Sequence, residues 1–523
     1  MNTYKTGFLI LILHLNNVVA QFNSTIELSN LNGENGFIIT NHSGGFVSPI
    51  GDINNDGIDD VLFSSPSDDT NGTNTGVVYV LFGNSLGFKS VFDLSTLNGT
   101  NGFVIYGLND NNQLYKSQNG GDINNDGIND LLIGAPGVGT NGSFSGASYV
   151  IFGRNNFSAI FDLTTLNGTN GFVINGFDSA DTLGSDVSFI NDINDDGIDD
   201  LIVGAPTVSG LDNGNCYIIF GSSNPFFASF NLSLLNGSNG FTITGINRGD
   251  GVCSSVSALG DINGDGITDI NIGASPQESI SGQYYSLNYI VFGSNQGFPS
   301  SFDLNQMDGT NGFSIKGIDP MDGSFDQSTI YSAGDFNNDG IDDFIVGFNG
   351  ADINGIESGS IFIIFGSQQP WPINFDLATL NGANGFRVNG IEEYDRLGGE
   401  AKTIGDVNND GIDDIIMTAT AFTNPFNPLE TYPFCHVLFG SDQGFSSIFD
   451  IASLNGNNGF NIKGITPQLT SKIITLNSAG DINEDGIDDI ILGGGGVKLN
   501  GIDTVAGYVI YGRGDLIFKN EFE

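Results

Sequence analysis

The stretch DINNDGIDD at residues 52–60 places Asp, Asn, Asp and Asp at its first, third, fifth and ninth positions, with Gly at the sixth. Alternate residues of a tight loop can aim their oxygens to one side. The Gly permits the sharp turn, and the carbonyl of the seventh residue, Ile58, can add a donor. This is chemistry for a hard cation. Calcium takes six to eight oxygens at roughly 2.3–2.6 Å in flexible geometry, whereas magnesium demands a stricter octahedron and zinc prefers nitrogen or sulfur.

The pattern is written seven times, at intervals of 69 to 75 residues. The quartets are Asp52, Asn54, Asp56, Asp60; Asp122, Asn124, Asp126, Asp130; Asp192, Asn194, Asp196, Asp200; and Asp261, Asn263, Asp265, Asp269. They continue with Asp335, Asn337, Asp339, Asp343; Asp406, Asn408, Asp410, Asp414; and Asp481, Asn483, Asp485, Asp489. The expected cofactor is Ca2+, up to seven ions, one per repeat. The eighth position is less restricted: it holds Asp59, Asn129, Thr268 and others.

Two other loop types begin alike. An EF-hand needs Glu at position 12 and flanking helices, but here that position holds Phe63, Ile133, Val203, Ile272, Val346, Met417 or Leu492. RTX-type calcium repeats recur every nine residues, which this chain does not do. A plain turn would explain DINNDG alone, but a turn by itself has no need of the ninth-position Asp.

Around each acidic loop sit other recurring pieces in fixed order. FDLSTLNGTNGFVIYG at 92–107 returns at 161–176 and 375–390 in close variants. Runs such as YVLFG, YVIFG, YIIFG and YVIYG end at Gly83, Gly153, Gly221 and Gly512. Each unit yields four strand expectations: one after Asn-Gly (103–106), one leading into the acidic loop (252–259), one directly after it (131–133, 201–203) and the Tyr-rich run before Phe-Gly. No convincing amphipathic helix is present.

Four short strands repeated in series are the pattern of a β-propeller. Seven Gly-Phe strands begin at Phe37, Phe103, Phe172, Phe241, Phe313, Phe386 and Phe460, matching seven loops. The expected fold is all-β: seven four-stranded blades over 21–516. If the Gly-Phe strand is outermost, Phe37 and its neighbours complete the blade built near the C-terminus, closing the ring and removing sheet edges. An open stack of repeats would need polar caps, and none is evident.

Composition narrows the partners. The chain has 523 residues, 39% of them hydrophobic, and 60 Asp plus Glu against 14 Lys plus Arg, a formal charge of -46. Nucleic acid and anionic membrane surfaces are disfavoured as partners. The 42 Phe argue against the disorder usual in acidic chains. Residues 1–20 read as a secretory leader: Lys5, a short apolar run, then small residues before Gln21. Residues 517–523 form a short tail, and no membrane span is expected. Three Cys, at 216, 253 and 435, show no metal-type spacing, so no disulfide scaffold is expected, and Cys216 and Cys435 read as small buried hydrophobes.

The Phe-Gly endings, Gly134-Ala135-Pro136 and Gly204-Ala205-Pro206 after the third strand, and the seven acidic loops resemble FG-GAP repeats, those of the integrin α-subunit N-terminal propeller and of many secreted proteins. The resemblance spans 22–516 and implies a seven-bladed propeller with calcium loops on one face. It departs from integrins in having all seven loops intact and in the FDLxxLNGxNG insert. Gly-Ala-Pro also decays to Ser64-Ser65-Pro66, Thr418-Ala419-Thr420 and Gly493-Gly494-Gly495.

The expected function is a secreted or cell-surface adhesion or protein-binding module, monomeric, with calcium mainly structural and an extracellular protein or glycan as ligand. The variable loops 421–433 and 275–287 are the expected contact sites. The alternative is a calcium-dependent lectin, with Trp371 and the 14 Tyr available for aromatic stacking. Catalysis is not expected: the His are only His14, His42 and His436, and no nucleophile motif such as G-x-S-x-G occurs. Some enzymes carry such repeats as accessory modules, but no separate catalytic domain fits. Arg248-Gly249-Asp250 and Arg513-Gly514-Asp515 are chance-level triplets in such a composition. Sequons such as Asn71-Gly72-Thr73 and Asn98-Gly99-Thr100 matter only in a eukaryotic secretory pathway, and sequence leaves their use open.

Overall fold

The apolar runs of the repeats are rich in Val, Ile and Phe and are cut at fixed places by Gly and Asn, which favours short strands over helices. In a computed structural model of the chain they form seven sheets arranged as a β-propeller. The structure describes residues 22–513 except 42–44, 115–117, 207–212, 248, 250, 279–283, 318–328, 420–434, 465–472, 495, 500–501 and 506. Among the described residues there is no α-helix, only strands and seven short 3-10 turns.

The first blade shows the plan. Phe46–Gly51, Asp60–Ser65, Val77–Leu81 and Gly102–Tyr106 pair antiparallel in that order from the inside outward. A fifth, two-residue strand, Ile160–Phe161, then joins in parallel from the next repeat. Six blades have five strands; the second has four, its inner segment reduced to the bridge Gly121 to Asp130. In most blades this outer strand ends on the Phe of the FDLxxLNGxNG insert. The Asp93 carboxylate that follows accepts from the Ser95 amide (2.9 Å) and caps the 3-10 turn Leu94–Thr96. The Gly-Phe strand is therefore fourth, not outermost: the insert supplies an edge that periodicity alone did not reveal.

The ring closes twice through the N-terminal segment. Gly36–Thr40 pairs antiparallel with Gly507–Ile510, placing Phe37 opposite Val509. Thr25–Glu27 pairs in parallel with Gly459–Lys463 of the neighbouring blade. The aromatic residues repeat this closure side chain by side chain. Each Gly-Phe phenylalanine stacks on an aromatic ring from the next connector: Phe37 on Phe88, Phe103 on Phe157, Phe172 on Phe226, Phe241 on Phe298, Phe313 on Trp371 and Phe386 on Phe445. The seventh stack is Phe460 on Phe22, at 4.6 Å between centroids. Each pair adds about 0.5–1.5 kcal/mol beyond its buried area.

Two readings of single residues change. Trp371 lies parallel to Phe313 at 4.5 Å and is buried, so it fills the place of a core phenylalanine and offers no sugar platform. Cys216 is bonded to Cys253, with their Cα atoms 5.5 Å apart, while Cys435 is buried and free. The disulfide ties strand Asn215–Ile219 of the third blade to the entry of the fourth. Spacing could not pair these thiols, because only the ring sets the two blades side by side.

The leader 1–20, the tail 517–523, the loop 421–433, Arg248, Asp250, Gly514 and Asp515 lie outside the described residues. Of the 275–287 segment, residues 279–283 also lie outside the described residues; on either side, strands Asp269–Glu278 and Tyr284–Val291 pair, with Gln277 opposite Tyr285. Among the described residues no helix is long and apolar enough to cross a membrane.

Candidate metal centres

Each acidic loop joins the innermost strand of a blade to the second. Its fourth residue is held in the left-handed region, from Asn55 at φ 60° to Glu484 at φ 58°, and the sixth-position glycines take φ of 84–89°. These angles suit Asn and Gly and curl the loop on itself. The first Asp locks the curl: Asp52 Oδ1 accepts from the Asp56 amide (3.0 Å) and Oδ2 from the Gly57 amide (2.7 Å). The fifth Asp accepts from the seventh amide, as Asp56 does from Ile58 (3.0 Å). The same three bonds recur in the other six loops.

The ninth Asp is fully buried in all seven loops. It brackets two separate parts of the blade. Asp60 Oδ2 accepts from the Ile53 amide (3.0 Å) and Oδ1 from the amide of Gly83, the Phe-Gly glycine (2.9 Å). Every Phe-Gly glycine amide donates to its ninth-position Asp in this way. The position therefore has a role in the fold, one that the bare loop sequence does not show.

Burial pushes the Asp60 carboxyl well above the usual carboxylate range; the charges of Asp56 and Asp52 push it further, against the Gly83 and Ile53 amides. Asp200 is pushed up to about 8 and Asp343 to about 9, by burial first. A buried carboxylate with like charges beside it lacks a counter-charge.

The third-position Asn supplies a complementary observation. Its amide nitrogen leans on the ninth Asp, as Asn408 Nδ2 does on Asp414 Oδ2 at 3.2 Å. Its oxygen is left over: Asn54 Oδ1, Asn337 Oδ1 and Asn408 Oδ1 are buried with no hydrogen-bond partner. Orphaned acceptors beside uncompensated carboxylates fit an oxygen-seeking cation. Among the described residues no three Asp, Glu, His or Cys side chains form a metal cage by themselves. The Asn and backbone oxygens are thus integral to any such site. Residues of positions 1, 3, 5 and 9 share one loop in each blade; the fifth-position side chains face solvent in six loops.

The eighth position, read from sequence as unconstrained, links neighbouring loops. Asp59 Oδ2 accepts from the Asp481 amide (3.0 Å), across the closure of the ring. Asn129 accepts likewise from Asp52, Asp199 from Asp122, Asp342 from Asp261, Asp413 from Asp335 and Asp488 from Asp406. Thr268 makes no such bond, which leaves one gap in the belt. Beneath it, the residue after each Phe-Gly donates its amide to the second residue of the preceding loop, as Arg154 does to Ile53 (2.9 Å). A Cβ on Gly83 would meet the Asp59 carbonyl oxygen at 2.4 Å, so this position must be Gly.

The FG-GAP repeat model matches residues 44–81 and 119–151, which contain the first two acidic loops and the strands around them. The chain carries FG-GAP repeats. With seven blades, this FG-GAP propeller is consistent with the integrin α-like architecture expected from the motifs. Curated relatives are phosphatidylinositol-glycan-specific phospholipases D. That of Dictyostelium discoideum is 33% identical over 174 residues, 30% of this chain and 17% of the relative. That of Rattus norvegicus is 38% identical over 105 residues, 19% of this chain and 12% of the relative, and the human protein is 36% identical over the same shares. The alignments thus span 12% to 17% of the relatives' length. These relatives carry the name of an enzyme. The expectation of a non-enzyme, drawn from missing nucleophile motifs, is corrected accordingly: relatives that share part of this repeat region are named for an enzyme.

Proposed function

We propose that this FG-GAP propeller is a secreted binding module that calcium rigidifies, with extracellular protein as its ligand. The observation that carries the reading is the buried ninth-position Asp beside an orphaned Asn oxygen. The ions would be held by positions 1, 3, 5 and 9 of each loop with the seventh carbonyl, and would supply the missing counter-charge. The Cys216–Cys253 bond supports an oxidising compartment. Elemental analysis of dialysed protein tests the calcium reading: seven ions are expected, and D60A should lower the count by one. A protein free of calcium in millimolar calcium buffer would defeat it. Pull-down from extracellular medium, with and without calcium, tests the ligand.

A glycan is the second reading, favoured by one cleft. Asn109, Asp110, Asn112, Thr140, Ser143 and the half-exposed Phe144 line a cavity of 440 Å³ at the end of the blades away from the acidic loops. Amides, hydroxyls and one aromatic face suit a sugar. The relatives' name, a phospholipase D specific for phosphatidylinositol glycans, supports the same class of ligand here. Binding of the chain to glycan-anchored protein on vesicles, and release of that protein into solution, measures both engagement and cleavage.

A further inference from the structure

Six of the nine sequons of this chain fall into two groups that the structure tells apart. In Asn98-Gly99-Thr100 the exposed Asn98 side chain accepts through Oδ1 from the Thr100 amide (2.9 Å) and from the Thr100 hydroxyl (2.7 Å). Asn167 holds Thr169 in the same way, at 2.9 and 2.7 Å. Asn236 holds Ser238 at 2.9 and 2.7 Å, and Asn231 holds Ser233 at 3.0 and 2.7 Å. All four Asn are exposed. Their Oδ1 is engaged by the hydroxyl two residues on, and their Nδ2 makes no hydrogen bond.

Two other sequons are built differently. Asn71 Nδ2 donates to the Gly107 carbonyl (2.8 Å), while the Thr73 amide turns away to Asp110 Oδ1 (2.9 Å). Asn141 Nδ2 donates to the Gly176 carbonyl (2.7 Å). These amides clasp the hairpin of one repeat to the end of its own Gly-Phe strand. Using them as acceptors would disrupt that clasp.

We propose that Asn98, Asn167, Asn231 and Asn236 are N-glycosylation sites and that Asn71 and Asn141 are not. In the reaction a bond forms between Nδ2 and the anomeric carbon of an oligosaccharide carried on a lipid pyrophosphate. The anomeric carbon–oxygen bond breaks, the lipid pyrophosphate leaves with the electron pair, and Nδ2 loses one proton. The acceptors need an exposed turn with the hydroxyl in place. Asn98, Asn167 and Asn236 lie on the turns just before the Gly-Phe strands Gly102–Tyr106, Gly171–Asn175 and Gly240–Thr244, and Asn231 caps the 3-10 turn Leu232–Leu234, so all four decorate the rim of the first three blades. The corresponding turns elsewhere read Asp308-Gly309-Thr310, Asn381-Gly382-Ala383, Asn455-Gly456-Asn457 and Asn32-Gly33-Glu34, which lack the acceptor or the hydroxyl. Glycans at these four sites stand beside exposed edge residues such as Ile160 and Leu234.

The proposal rests on the secretory reading. The test is expression of the full chain with its own leader in a eukaryotic host, followed by amidase release of glycans in heavy-oxygen water and peptide mass spectrometry. Conversion to labelled Asp is expected at the four sites and not at Asn71 or Asn141, and N98Q, N167Q, N231Q and N236Q should each remove one glycan mass. Unmodified Asn at the four sites in exported protein overturns the proposal, as does equal occupancy of Asn71 or Asn141. Failure of the chain to reach the medium counts against the native leader instead. A heterologous leader then forces entry, and the same site readout decides the glycans.

Discussion

On the proposed calcium reading, removing the metal should make this protein's stability fall as pH rises. In the metal-free fold the ninth-position carboxyls are raised: Asp200 to about 8 and Asp343 to about 9. In the unfolded chain such groups titrate near about 4. From pH 5 to 8 the folded protein therefore holds protons that the unfolded chain has shed, and stability falls as pH rises through the folded values. The slope is about 1.4 kcal/mol per pH unit per group. Over three units each group costs up to about 4 kcal/mol, and these two together about 8, against about 5–15 kcal/mol for a whole domain. Calcium replaces the protons, so the loaded protein should lose this slope. Seven sites, if of about 10⁻⁴ M affinity, would each add roughly 1.4 kcal/mol in about 10⁻³ M calcium. Calorimetric melts in metal-stripped buffer and in millimolar calcium, at pH 5, 6, 7 and 8, check this. The stripped protein should melt highest at pH 5 and lower by on the order of 10 °C at pH 8, with the two curves diverging as pH rises. A stripped protein that gains stability toward pH 8, or melts that coincide at every pH, would refute the reasoning.

Three further outcomes follow from the packing. F22A deletes one ring of the closing stack and should cost about 3–5 kcal/mol, read as a shift in denaturant midpoint; an effect below about 1 kcal/mol would mean that the ring does not close through this contact. Replacing Cys216 and Cys253 by Ser opens a loop of 37 residues and should cost about 4 kcal/mol, while peptide mapping without reductant should recover Cys216 joined to Cys253 and Cys435 free. T268N supplies the missing carboxamide acceptor in the belt of eighth-position bonds and should add about 0.5–1.5 kcal/mol, measured as a higher melting temperature in calcium.

Much of the architecture is local information, repeated. The acidic loops, the Gly-Phe strands and the Phe-Gly endings each specify a backbone conformation within a few residues. Asn55 and Gly57 are suited to positive φ, and the Val- and Ile-rich runs beside them favour strands. Seven copies of that local instruction were enough to count the blades and to place an oxygen-rich loop in each. Contacts between repeats were not legible in the same way. The eighth position looked free because its partner, such as Asp481 for Asp59, lies in another blade. The ninth-position Asp showed its donor chemistry in sequence, but its grip on Gly83 depends on a strand returning beside the loop. Periodicity did not reveal the fifth strand, because two residues are too few to carry an alternation. The Cys216–Cys253 pair, the burial of Trp371 and the division of the sequons all depend on which surfaces face each other. By itself the sequence determined the repeated unit, its turns and its oxygen-rich loops, because those are set by neighbours along the chain. Only the closed ring decided which carboxylates are buried, which aromatics stack and which amides are free, because burial and pairing arise between residues tens or hundreds of positions apart.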